Sequence, residues 1–166
     1  MNEPTNTSCC GGEMPKPTQE HEWLQRFVGE WTSEGEAYMA PDQPPVKLQG
    51  IEKTRSLGFW VVGEITSTLE HFPYQQIYTI GYNPESKKYT GSVVDTMMSH
   101  MWLNEGSVEG NSITLETEGP CPVNGMTKFR ETTEFKTPDH KVFTSRFLAP
   151  DGEWKVGMTI NCYRKK

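Results

Sequence analysis

From Trp31 onward, polar and apolar residues alternate with a period of two. Trp31, Ser33, Gly35, Ala37 and Met39 carry no charge, whereas Thr32, Glu34, Glu36 and Tyr38 carry all of it. Such alternation marks a strand with one wet face and one buried face. The buried face here is mostly small, which leaves room inside. Just before it, Trp23, Leu24, Phe27 and Val28 fall at i, i+1, i+4 and i+5, the apolar stripe of a helix. Thr18 is placed to cap that helix, Glu20 and Glu22 suit its positive end, and Gly29 suits its termination. At about ten residues it needs an apolar surface to dock on.

Further strands are predicted at 46–56, 59–70, 74–83, 88–98, 100–108, 112–118, 126–136, 141–149 and 153–164. Turn chemistry separates them, as in Asn83-Pro84-Glu85-Ser86, Glu109-Gly110-Asn111, Gly119-Pro120, Pro138-Asp139-His140 and Pro150-Asp151-Gly152. In the last strand, Trp154, Val156, Met158, Ile160 and Cys162 are expected on the inward face, with Arg164 continuing it. About ten short strands in a meander predict an all-β fold: a closed antiparallel up-and-down barrel. No alternation of strands with helices suggests an α/β fold. The first and last strands then run antiparallel and close the barrel. Trp31 and Arg164 meet at one end, where a guanidinium over an indole contributes about 0.5–2 kcal/mol.

These residues carry a resemblance. Gly29-Glu30-Trp31 after a short helix, with Arg164 closing the last strand, is similar to the structural signature of the calycin superfamily of lipocalins and fatty-acid-binding proteins. The stretch from His21 to Lys165 also resembles an uncharacterised, mostly bacterial domain family of about this length. Val28-Gly29-Glu30-Trp31, Gly81-Tyr82-Asn83-Pro84, Lys88-Tyr89, Val94-Asp95-Thr96-Met97 and Met158-Thr159-Ile160 carry that likeness. The resemblance implies a lipocalin-like barrel and assigns no activity. Asn83 stands where that family usually has Asp, which bears on the 83–87 turn.

Composition narrows the partners. The chain has 166 residues, one domain by length, and a formal net charge of −6. That charge repels nucleic acid and anionic membrane, and the only basic cluster is Arg164-Lys165-Lys166. No apolar run approaches the ~20 residues of a membrane-spanning helix. Residues 1–17 are polar and rich in Gly and Pro, so we expect a disordered leader there and a single barrel domain over 18–166. The leader lacks the apolar centre of a secretory signal, which points to the cytoplasm. The alternative is that a signal was removed before this numbering begins. The four cysteines, Cys9, Cys10, Cys121 and Cys162, do not form a disulfide framework.

Candidate chemistry lies on the inward faces. Glu52, Asp95 and Glu131 all fall there, and a carboxylate inside a barrel must be bonded or paired. Converging carboxylates suit acid–base work; the competing reading is that neighbouring groups satisfy them as structure. His100 is the histidine expected to face the lumen; His21, His71 and His140 fall on the helix, a strand end and a turn. No histidine spacing supports zinc. Some calycin-like barrels resembling nitrobindins bind haem through a late histidine, and the last strand here has none, so no metal or cofactor is expected. Tyr89, Met97 and Trp102 belong to an aromatic and methionine-rich middle section that also includes Trp60, Tyr74, Tyr78, Tyr82, Met98 and Met101. It reads equally as pocket wall and as packing, and Trp60 with Val62 on the outward face suits a homodimer contact. Three functions follow: a container for a small, largely apolar ligand held by Glu52, Asp95, Glu131, His100, Tyr89, Met97 and Trp102; an enzyme using the lumenal carboxylates; or a filled barrel that self-associates.

Overall fold

The computed structural model describes residues 15–40, 42–122 and 124–166. The leader, with Cys9 and Cys10, therefore lies almost wholly outside the described residues. The chain folds into a short helix, α1 (Gln19–Leu24), a 3-10 turn (Gln25–Phe27) and ten strands. These are β1 (Gly29–Ala37), β2 (Val46–Leu57), β3 (Trp60–Leu69), β4 (Phe72–Asn83), β5 (Lys88–Asp95), β6 (Trp102–Glu109), β7 (Ser112–Cys121), β8 (Gly125–Thr137), β9 (His140–Leu148) and β10 (Trp154–Arg164). Each pairs antiparallel with the next, and β1 pairs with β10, so the barrel is closed. Among the described residues, no helix is long and apolar enough to cross a membrane.

One end is plugged. The backbone N–H of Thr18 donates to His21 Nδ1 at 2.9 Å, which starts α1. Leu24, Phe27 and Trp31 are buried against Phe135, Ile113 and Val61. Each such side chain contributes about 1.5–3 kcal/mol by leaving water. Trp31 and Arg164 are Cα partners across the closing seam, and the guanidinium carbon sits 4.1 Å from the indole centroid. Arg164 also donates to the carbonyls of Val28 (2.6 Å), Arg26 (3.0 Å) and Pro138 (3.2 Å). It thus ties the helix exit to the end of the barrel. Gly29 makes this fit possible. Its φ is +135°, and a Cβ there would lie 2.5 Å from Arg164 Nη1.

Three local expectations need correction, each for a backbone reason. First, β5 stops at Asp95 instead of running to 98. The Asp95 carboxylate accepts from the N–H of Met97 (2.7 Å) and Met98 (3.0 Å), a local turn that competes with the ladder. Residues 96–101, His100 included, form a link across the rim. Second, Gly119-Pro120 is not the turn. β7 continues to Cys121, and the chain reverses between Cys121 and Gly125, which are Cα partners. β6 pairs with β7 only as far as Glu116, so Pro120 lies on a free edge, where a missing N–H is tolerated. Third, β10 does not keep one inward face. Gly157 is an extra residue between the pairs Val156↔Arg146 and Met158↔Ser145. The bulge shifts the side-chain parity by one. Met158, Ile160 and Cys162 face in; Trp154 and Val156 face out, where the Arg130 guanidinium covers the Trp154 ring at 4.3 Å. By contrast, Asn83 serves its turn well. Its Oδ1 accepts from the N–H of Glu85 (2.9 Å) and Ser86 (3.3 Å).

Candidate functional site

Above the plug the barrel is hollow. The cavity measures about 360 Å³ and its wall is mostly apolar. Such a volume sits at the small end of the range for small-molecule sites, about 300–1,000 Å³. The space exists because the inward positions of β1 are small; Ser33 and Ala37 line it. Phe143 and Phe147 from β9, Met158 and Ile160 from β10, and Trp102 from β6 supply its apolar surface. The mouth lies opposite the plug, near Tyr38, Met97 and Pro122.

Among the described residues, the charged groups on this wall are Glu52, Asp95, Glu131 and Lys141. They fall into two sets. On the floor, Glu52 Oε1 accepts from Lys141 Nζ (2.6 Å), the Tyr78 hydroxyl (2.6 Å) and the Thr54 hydroxyl (2.8 Å). Glu52 and Lys141 are both buried. Lys141 Nζ also lies 4.5 Å from the Trp31 ring centroid and 4.9 Å from that of Phe27. Burial first, and then the Glu52 carboxylate, push the Tyr78 phenol well above its ordinary value, so it stays a donor. Tyr78 reaches this position by lying across Gly63, where a Cβ would sit 2.1 Å from the ring.

Higher on the wall the second set is far less satisfied. Glu131 projects from the middle of β8, and among the described residues its one side-chain hydrogen-bond partner is Asn104 Nδ2 at 3.4 Å. With no cation beside it, burial pushes this carboxyl up to about 7. Asn104 is buried, and its Oδ1 has no hydrogen-bond partner among the described residues. An orphaned buried acceptor costs about 1–3 kcal/mol. Tyr74 and Gln76 from β4 complete the cluster, with the Tyr74 hydroxyl donating to Gln76 Oε1 at 2.5 Å. Burial raises the Tyr74 phenol, and the charges of Asp95 and Glu131 raise it further, which places both carboxylates near this ring.

Not every residue singled out from the sequence reaches the cavity. Glu52, Asp95, Glu131, Met97 and Trp102 line it. Tyr89 faces inward but lies in the plugged end, packed on Tyr82 and Trp23, with its hydroxyl donating to Glu20 O at 3.3 Å. His100 sits in the rim link, its Nε2 3.3 Å from Glu118 O and its ring edge-on to Trp102, and it is not part of the wall. The strand predicted from residue 100 begins only at Trp102, so its parity does not extend to His100. Among the described residues, no three His, Cys, Asp or Glu side chains gather to hold a metal.

The sequence profile of the family described as "Protein of unknown function (DUF1579)" matches residues 16–164. The chain belongs to that family. The match spans the helix and all ten strands of this closed, calycin-like barrel. No curated protein matches it in sequence. Among solved structures, it is similar to the S-type phycobiliprotein lyase CPES from Guillardia theta and to Rv2717c from M. tuberculosis. Each shows a TM-score of 0.61 at 12% identity, over 90% of this chain and 99% of the other. At that identity the likeness is one of fold.

Two groups that matter most, Asn104 and Lys141, lie outside the candidates the sequence offers. Asn104 shares its face with Trp102, Gly106 and Val108, so the alternation alone puts a polar side chain inside. Lys141 follows a turn and looks like a strand end, yet it shares a face with Phe143, Ser145 and Phe147. A lysine on that face signals a buried partner, and Glu52 is that partner.

Proposed function

We propose that this barrel binds a small, largely apolar molecule in its interior. The observation that carries the reading is the cavity of about 360 Å³, apolar over most of its wall, with one cluster of poorly satisfied polar groups at Glu131 and Asn104. Asp95, Met97 and Trp102 stand near the same opening as contacts for an entering ligand, and Glu52 belongs to the floor. The test is native mass spectrometry and calorimetry of the full chain with 1-decanol. One molecule per chain is expected, with binding lost in Ser145→Phe, which fills the cavity from the β9 wall. An unchanged mass and no heat for the native chain contradict the reading.

A second reading, an enzyme, rests on Glu131 alone. Burial pushes it up to about 7, the range a general acid or base needs. Its hydrogen-bond partner is an amide, which relays no proton, so binding is the reading the site carries further. Recovering a bound molecule chemically unchanged after denaturation supports binding; recovering a converted product supports the enzyme. Self-association draws support from the outer face of β4–β6, where Ile77 and Val94 are exposed Cα partners and Leu103 is 69% exposed. Light scattering with the native chain and Leu103→Lys tests that contact.

A further inference from the structure

Within the cavity, the polar groups differ in what they offer a ligand. Lys141 is the one cation on the described wall, and it is bonded to Glu52 on the floor. The upper wall presents the carboxylates of Asp95 and Glu131, with the orphaned amide oxygen of Asn104 beside Glu131. The Tyr74 hydroxyl points its proton at Gln76, so it presents an oxygen to anything else. The Asn104 amide is held in this sense by Glu131: reversing it would set two oxygens against each other when Glu131 is ionised. Donors are therefore scarce on this stretch of wall and acceptors abundant.

We propose that the ligand is an amphipathic amine, its apolar body on the phenylalanine and methionine wall and its N–H group seated between Asn104 Oδ1 and Glu131. This deepens the binding function above and rests on it. An ammonium satisfies the orphaned amide oxygen and the carboxylate together, and charge-assisted hydrogen bonds of that kind are the stronger class. A carboxylate head in the same place meets two like charges and no free cation. The titratable groups beside Glu131 on the upper wall are Tyr74, which feels its charge, and Asp95, which acts on the same Tyr74 ring; Lys141 and Glu52 face each other on the floor. Neither of the former pair offers Glu131 a positive charge. Amine binding is therefore expected to strengthen between pH 6 and pH 8, as Glu131 ionises.

The test uses three probes of one chain length on the full protein: decylamine, 1-decanol and decanoate, titrated by calorimetry at pH 7.5. We expect decylamine to bind at least about tenfold more tightly than decanoate, with decanol between them. In Glu131→Gln the preference for amine over decanol falls about tenfold. Decanoate binding as tightly as decylamine overturns the amine assignment and leaves the binding function standing. A Glu131→Gln chain that keeps the full preference for amine over decanol also overturns it. No binding of any of the three contradicts the binding function itself.

Discussion

Glu52 and Glu131 are two carboxylates on one cavity wall, and they have opposite surroundings. Glu52 has an ammonium and two hydroxyls on a single oxygen, all within 2.8 Å. Glu131 has one amide nitrogen at 3.4 Å, and that amide leaves its own oxygen unpartnered. The first set is closed: every strong donor it needs comes from β2, β4 and β9, and it packs against Trp31 in the plug. Such a network fixes how the strands meet. The second set is open, with a half-buried carboxylate and a buried amide oxygen that the described residues leave unsatisfied, and it faces the cavity. Burial alone does not distinguish a structural carboxylate from a binding one. The number of donors already committed to it does.

The largest effect that separates the two comes from Lys141→Met. It leaves Glu52 buried without its cation, and we expect a loss of about 3–5 kcal/mol in urea unfolding. The double variant Glu52→Gln/Lys141→Met should recover most of that. A loss under about 1 kcal/mol for Lys141→Met would show that the floor is not a closed ion pair.

Next is the pH response of Glu131. Its folded value is raised from the ordinary 4.5 to about 7, so the unfolded chain ionises first as pH rises. The folded state then holds a proton that the unfolded state has released. Stability is fully present below about 4.5 and is lost up to about 7, by ~3 kcal/mol from this group. Glu131→Gln should remove that slope and be the more stable chain at pH 8. Unfolding curves of both chains at several pH values check this, and parallel profiles would contradict it.

The smallest contrast is between single hydrogen bonds. Tyr78→Phe removes a donor from a buried charge and should cost about 1.5–3 kcal/mol. Asn104→Leu removes an acceptor that has no partner and only a long, 3.4 Å donor to Glu131, and thermal unfolding should find it within about 1 kcal/mol of the parent. Equal losses would erase the distinction between the two sets.

The architecture was legible because alternation, turn residues and the Gly29-Glu30-Trp31 segment all point the same way. The ten strands, their antiparallel order and the closure of β1 on β10 follow from that pattern. Alternation misled where something local interrupts it. Gly157 inserts a bulge that turns Trp154 and Val156 outward, and a single glycine within an unbroken alternation was its one sign. The Asp95 side chain ends β5 early, and β6 begins only at Trp102, which leaves His100 in the link between them. The hollow itself was foreshadowed by the small inward residues of β1. Which carboxylates are satisfied was not legible, because Glu52 meets its lysine across 89 positions of sequence. That pairing depends on closure and register together, and neither is local.

The central claim is that Glu131 belongs to an open, unsatisfied site whereas Glu52 belongs to a closed one. The most direct measurement is a carbon-detected NMR titration of the glutamate side-chain carboxyls, with and without decylamine. We predict that Glu131 titrates near 7 in the free chain. On binding the amine, its value should fall, because the ammonium favours the charged form. A Glu131 that titrates with the surface glutamates and does not respond to the amine would contradict the account.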